Sequence, residues 1–165
     1  MTNPPASPQP WRFMTSLLIF VIVTLAVGAI GGAVTSGSVA TWYPTLNKPE
    51  INPPNWVFAP VWTTLYLMMA LAAAIVWIKS DQARRRMAMA WFAVQLALNL
   101  AWSVIFFGLH QIGLALLCLG ALWLAILITT RLFWSVAGIA GVLFVPYLVW
   151  VTFAGVLNLL IWRLN

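Results

Sequence analysis

The side chains that could support conventional acid–base or metal chemistry are few in this 165-residue chain. Glu50 and Asp81 are its only acidic residues and His110 its only histidine, and all three lie between long apolar runs. A proton relay, a metal centre or a Ser-His-Asp site needs such groups close together. The lone Cys118 lies within an apolar run and implies no disulfide. The sequence therefore predicts neither a metal site nor a conventional catalytic constellation.

Aromatic and amide side chains inside the apolar runs offer a different chemistry. Buried amides are costly in hydrocarbon unless paired, so we expect them to point toward other helices. Flat ring faces beside such amides favour a pocket for a planar hydrophobic ligand. The alternative is that the rings are ordinary core and that the amides only join helices. Three faces with helical spacing carry these residues: Gln95, Asn99, Trp102 and Phe106; Trp62, Tyr66 and Met69; and Tyr147, Trp150, Ala154 and Asn158.

The elements that must position these faces are membrane-spanning helices. The chain is 64% hydrophobic and only 6% charged, whereas about a quarter of the residues of a soluble domain are charged. We predict an all-α domain over residues 13–163, after a disordered, proline-rich tail at 1–12. A cleaved signal peptide is the alternative for the first run. The predicted spans are about 13–35, 57–79, 86–107, 111–132 and 137–162.

The basic residues predict how the helices are oriented. They lie between apolar runs rather than in a stripe with interleaved aromatics, so nucleic-acid binding is not expected. Lys48 and Arg163 fall on one side of the predicted bundle, and the positive-inside rule places the richer side in the cytoplasm. We thus expect a cytoplasmic N-terminus, an external C-terminus and the bacterial inner membrane, since outer-membrane proteins are typically barrels. The richer side holds Arg12, Lys79, Arg84, Arg85, Arg86 and Arg131.

The segment between the first two predicted helices, residues 36–56, is predicted to be an ordered lid. Its prolines at 44, 49, 53 and 54 prevent a continuous helix, and its aromatic content is high for a solvated linker. The alternative is a plain connection between helices.

Small residues on the third predicted helix favour close helix–helix contact. Their face lies roughly opposite the face of Asn99 and Trp102, and it predicts either a homodimer interface or packing against a neighbouring helix. A shorter Gly28/Gly32 pair lies in the first helix. The face consists of Ala90, Ala93, Ala97, Ala101 and Gly108.

Three segments, at 42–69, 95–108 and 141–158, resemble the tryptophan-rich sensory protein/translocator protein family, also called the peripheral benzodiazepine receptor family. The resemblance implies a five-helix bundle whose first loop covers a pocket. It also implies binding of porphyrins such as protoporphyrin IX or haem, as ligands rather than obligatory cofactors, together with sterols and synthetic benzodiazepine-site ligands. Bacterial members look like stress- or oxygen-linked regulators and are usually dimers, so the resemblance implies a dimeric sensor or carrier. Carried onto this sequence, the pocket would involve Tyr43, Pro53, Trp62, Asn99, Trp102, Trp150 and Ala154.

The resemblance also leaves alternatives open. Light-dependent porphyrin degradation would use Trp62 and Trp150, and a third alternative is a scaffold for partner proteins. The sequence departs from the family pattern at Leu159, which replaces the tyrosine of the sterol motif. It departs again at Leu114, where animal members carry tryptophan, and at His110, where relatives are often basic.

Overall fold

The computed structural model describes residues 10–165, and within them the chain is a bundle of five helices without a strand. Each helix is long and apolar enough to cross a membrane, which confirms the predicted all-α architecture. Residues 1–9 of the predicted tail lie outside the described part of the chain. The helices are α1 Pro10–Thr41, α2 Phe58–Lys79, α3 Gln82–Ser103, α4 Ile112–Val136 and α5 Gly138–Leu164.

The first helix is longer at both ends than the sequence predicts. Among the described residues it is already helical at Pro10, three residues before the predicted start. At the other end α1 continues through the polar stretch TSGSVAT to Thr41. Hydroxyl groups there bond back to their own helix, as Thr35 does to the Gly31 carbonyl (2.7 Å) and Thr41 to the Gly37 carbonyl (2.8 Å). The connection to α2 therefore covers residues 42–57 rather than 36–56.

The helices follow one another around the bundle in the order α1, α2, α5, α4, α3, with α3 returning to α1. We call the end that carries residues 42–57 the loop end. Toward the opposite end, aromatic rings fill the centre: Phe133 lies between Phe92 and Phe144, with ring centroids 6.0 and 4.9 Å away. Aromatic contacts of this kind stabilise beyond the area they bury. The bundle is therefore solid at one end, and its open space lies at the loop end.

A π turn at Val104–Gly108 follows the last α-helical residue of α3. The backbone N–H of Leu109 donates to the carbonyl of Val104 at 2.8 Å, a bond that encloses one more residue than an α turn does. The connection to α4 then passes through His110, which has a positive φ of 57°. The π turn places Phe106 and Phe107 in contact with each other, with ring centroids 4.8 Å apart.

Candidate functional site

A cavity of about 650 Å³ occupies the loop-end half of the bundle. Side chains of α1, α2, α3, the π turn and α5 surround it, and Tyr43 and Asn55 of the 42–57 connection reach it from above. No lining residue comes from α4, which packs behind α3 and α5. The three faces predicted from helical spacing thus converge on one space.

Most of the predicted ligand-binding residues line this cavity. Pro53, Gln95 and Tyr147 are absent from its lining. Pro53 lies in the connection, where its carbonyl accepts a hydrogen bond from the Asn52 side chain at 3.1 Å. The predicted residues that line the cavity are Tyr43, Trp62, Tyr66, Asn99, Trp102, Phe106, Trp150 and Ala154.

Asn99 joins three helices at the floor of the cavity. Its Oδ1 accepts a hydrogen bond from the Tyr66 hydroxyl of α2 at 2.7 Å, and its Nδ2 donates to the Tyr147 hydroxyl of α5 at 3.1 Å. Tyr147 is fully buried behind the floor, so it supports the site without touching the cavity. Because both tyrosines depend on one amide, Asn99 fixes the relative positions of α2, α3 and α5.

Gln95 lies one helical turn from Asn99, away from the loop end, and has a different environment. Its side chain is fully buried, yet neither its Oε1 nor its Nε2 has a hydrogen-bond partner within residues 10–165. A buried amide without partners is destabilising. Asn99 lines the cavity and Gln95 does not, so the cavity floor lies between these two residues.

The cavity tryptophans differ in how their indole N–H groups are used. Trp102 donates to Oδ1 of Asn158 at 3.1 Å, and the Asn158 amide in turn donates to the Ile112 carbonyl at 3.0 Å. Trp62 and Trp150 make ring contacts but donate no hydrogen bond to any group in residues 10–165. Both residues line the cavity, and their indole N–H groups have no acceptor within residues 10–165.

The α1 wall of the cavity was missed by sequence reasoning. Gly28 and Gly32, which were considered only as a helix-contact motif, both line the cavity. A Cβ atom on Gly28 would come within 2.6 Å of the Tyr66 ring, so this glycine allows the close approach of α1 to α2. The signal in the sequence was the high content of glycine and alanine in α1. Such residues indicate close helix packing but do not reveal which helix, or which cavity, the small residues face.

Hydrogen bonds order the 42–57 connection, from which Tyr43 and Asn55 line the cavity. The Tyr43 hydroxyl donates to Asn52 Oδ1 at 2.7 Å, and Lys48 Nζ donates to the carbonyls of Tyr43 and Leu46, each at 2.9 Å. Burial raises the pKa of the Tyr43 phenol above its ordinary value. The backbone N–H of Asn47 donates to Asn165 Oδ1, and Asn165 Nδ2 donates to the Asn47 carbonyl, both at 3.0 Å.

A second set of contacts holds the start of the connection against the end of α3. The Trp42 indole stacks on the His110 ring with centroids 4.1 Å apart, and it meets the Phe106 ring edge-on at 5.6 Å. The 42–57 connection is therefore held by the π turn and His110 as well as by Asn165, which follows α5.

The small-residue face of α3 lies on the outside of the bundle. Ala90, Ala93, Ala97 and Gly108 are exposed and Ala101 is half-buried. Gly108 lies close to α1, since a Cβ atom there would meet Val34 at 3.4 Å, whereas Ala90, Ala93 and Ala97 point away from the part of the bundle that the structure describes.

Comparison with known proteins identifies the fold. The sequence profile of the TspO/MBR family matches residues 20–163. The chain belongs to the TspO/MBR family. Among its relatives, Protein CrtK of Rhodobacter capsulatus is 42% identical over 151 residues, which cover 91% of this chain and 94% of the relative. The tryptophan-rich sensory protein of Cereibacter sphaeroides is 42% identical over 142 residues, 84% of this chain and 88% of the relative. The human translocator protein is 38% identical over 138 residues, 82% of each chain.

Membership of the TspO/MBR family agrees with the five apolar helices, and the chain is an integral membrane protein. The match runs from within α1 to the last turn of α5 and includes the 42–57 connection. Two of these relatives are named as a sensory protein and a translocator protein. Within residues 10–165, no three His, Cys, Asp or Glu side chains are grouped to hold a metal ion.

Proposed function

We propose that this protein is a membrane receptor or sensor that binds porphyrins, such as protoporphyrin IX or haem, in the loop-end cavity. The observation that carries the proposal is the cavity itself. Its volume of about 650 Å³ lies within the range of about 300–1,000 Å³ that small-molecule pockets occupy. Tryptophan and phenylalanine faces form much of its wall and favour contact with a planar aromatic ligand.

The polar groups of the cavity suit the edge of such a ligand. The N–H groups of Trp62 and Trp150 can donate to carboxylate or carbonyl oxygens, because no protein group within residues 10–165 accepts from them. At the floor, Asn99 and the Tyr66 hydroxyl already satisfy each other. The floor therefore fixes the shape of the pocket, and the free donors lie on its side walls.

We further propose that the N-terminus is cytoplasmic, the cavity opens toward the outer side and the bacterial inner membrane holds the protein. The cations near the end opposite the loop outnumber Lys48 and Arg163 at the loop end, and cytoplasmic ends carry the excess of Lys and Arg. We also propose that two copies associate through the exposed small-residue face of α3.

Dark titration of the purified protein with protoporphyrin IX tests the porphyrin proposal, with quenching of tryptophan fluorescence as the signal. Saturable quenching at about one ligand per chain is expected for one occupied cavity. Ala154→Phe fills the cavity and is expected to raise Kd about tenfold, or about 1.4 kcal/mol. Ala121→Phe is the matched control, because Ala121 is exposed on α4 and does not line the cavity. Equal affinity for both variants would place the ligand elsewhere.

A second candidate function is light-dependent degradation of the bound porphyrin. The observation that favours it is that Trp62 and Trp150, two oxidisable indoles, line the same cavity. Illumination in the presence of dioxygen should then produce a new absorption band that requires the protein. Trp62→Phe should abolish this band while dark binding persists. Identical photoproducts with and without the protein would exclude the activity.

A further inference from the structure

The cavity wall formed by α1 and α2 is also part of the outer surface of the bundle. Several cavity-lining residues on these two helices are exposed, although side chains that line an enclosed pocket should be covered. These exposed lining residues are Leu25, Ala29, Gly32 and Ser36 on α1, and Ala59 and Thr63 on α2.

Neighbouring contacts show that the exposed edges of both helices meet at one seam. On α1, Gly31 faces Ser103 of α3 and Gly28 faces Tyr66 of α2. The exposed lining residues of α1 follow Gly28 in the same direction of rotation about the helix axis. Around α2, Phe58 contacts Trp150 of α5, and Tyr66 faces α1. Ala59 and Thr63, which are exposed, lie further around the axis of α2 in the same direction, on its side near α1. The opening is therefore a slit between α1 and α2.

The slit is lined by small side chains. It narrows where Gly28 packs against the Tyr66 ring, and Leu25, one turn further from the loop end, is the last exposed lining residue on α1. From Gly28 to Ser36 is a rise of about 12 Å along α1 at 1.5 Å per residue. Within this length, a Cβ atom on Gly32 would find no neighbouring atom within 4 Å.

The opposite route, past the 42–57 connection, is obstructed by ordered contacts. Asn47 and Asn165 exchange hydrogen bonds, and Trp42 stacks on His110. Entry from that side would require these contacts to break, whereas entry through the slit requires none of them to change.

We propose that the planar apolar ligand enters and leaves the cavity sideways, from the hydrocarbon of the loop-end leaflet, through the slit between α1 and α2. The inference rests on the proposed ligand-binding function and adds that the ligand comes from the bilayer rather than from water. An apolar planar molecule concentrates in the bilayer because its transfer out of water is favourable. A lateral entrance lets it reach the aromatic walls without passing through water.

The test is the rate of protoporphyrin IX binding to the protein in lipid nanodiscs, followed by tryptophan quenching in the dark. Gly32→Phe would place a ring in the slit and is expected to slow dissociation of the bound porphyrin about tenfold as well as its association. Gly37→Phe is the matched control, since Gly37 lies on the same helix, is exposed, has no neighbour within 4 Å and does not line the cavity. Its rates should equal those of the unmodified protein.

A second variant tests the other route. Asn47→Cys with Asn165→Cys, in a Cys118→Ala background, allows a short thiol crosslinker to fasten the connection above the cavity. Lateral entry predicts unchanged rates after crosslinking. Rates that fall on crosslinking, or a Gly32→Phe protein that binds as fast as the Gly37→Phe control, would overturn the slit while leaving the binding function intact. A Gly32→Phe protein with faster dissociation and weaker affinity would also overturn it, because the ring would then fill the cavity. Absence of saturable quenching in the unmodified protein would overturn the binding function and the slit together.

Discussion

Asn99→Leu and Gln95→Leu are nearly the same substitution one helical turn apart, and the structure predicts opposite effects on stability. Both amides are buried on the same side of α3. Asn99 makes hydrogen bonds to Tyr66 and Tyr147, whereas the Gln95 amide atoms have no partner within residues 10–165. The pair therefore separates the contribution of hydrogen bonding from that of burial.

The magnitudes follow from what each substitution leaves behind. Asn99→Leu removes two interhelical bonds, worth about 0.6 kcal/mol each in membrane proteins. It also leaves the fully buried Tyr147 hydroxyl without this partner, at a cost of about 1–3 kcal/mol. The Tyr66 hydroxyl borders the cavity and can be hydrated there. A loss of about 2 kcal/mol in the free energy of unfolding is expected.

Gln95→Leu instead removes an amide that is paired with no protein group within residues 10–165. A gain of about 1 kcal/mol in the free energy of unfolding is expected, after subtracting a packing cost of up to about 1.5 kcal/mol for the change of shape. The two variants should therefore differ by about 3 kcal/mol, and the sign for Gln95→Leu is the more informative result.

Reversible unfolding in mixed micelles, followed by helical circular dichroism, measures both values. Adding Tyr147→Phe to Asn99→Leu should recover about 1 kcal/mol, because it removes the hydroxyl left without a partner. If Gln95→Leu destabilises the protein as much as Asn99→Leu does, the Gln95 amide is satisfied in the folded protein, and the reasoning from the floor of the cavity is refuted.

Three further predictions concern the α1–α2 contact, the outer face of α3 and the cavity cover. Gly28→Ala should lower the unfolding temperature and weaken porphyrin binding, because its Cβ would lie 2.6 Å from the Tyr66 ring; Gly37→Ala, with open space around it, should not, and equal effects would contradict the close contact. Cysteines at Ala93 and Ala97 should give an oxidation-dependent dimer in membranes, and a purely monomeric product would exclude this face as the interface. Burial raises the pKa of Tyr43 in the folded protein, so its contribution to stability is complete below the ordinary pKa of about 10 and is lost as pH rises through the folded value. Tyr43→Phe should remove this alkaline loss, as measured by unfolding at several pH values, and an unchanged pH profile would assign the loss to another group.

The positions of Trp62, Asn99 and Trp150 around one cavity could be predicted from the sequence. Helical spacing places each residue on a face, and the cost of an unpaired amide in hydrocarbon turns that face inward. Hydropathy likewise predicted the five spans, because a bilayer demands long apolar runs. Porphyrin as the ligand and the dimer remain predictions.

Other features could not be read from periodicity. Gln95 and Asn99 share a face, but spacing does not reveal where along that face a cavity ends. The α1 wall was missed because this helix is apolar on all sides, so no face of it stands out. The end of α1 was placed too early because hydropathy falls at the hydroxyl-rich stretch before Thr41, although those hydroxyls bond within the helix.

The π turn that ends α3 has a consequence for how this wall of the cavity can change during evolution. Successive residues in an α-helix point about 100° apart, so two neighbouring rings do not ordinarily share a face. The wider turn brings Phe106 and Phe107 into the same lining as Trp102 by accommodating one additional residue. Point substitution can alter the size of these rings but not their shared direction. Deletion of a single residue within 104–108 would restore an α turn and remove one ring from the lining. In this segment the number of residues matters as much as their identity, so insertions and deletions in related sequences are the changes expected to alter this wall of the cavity.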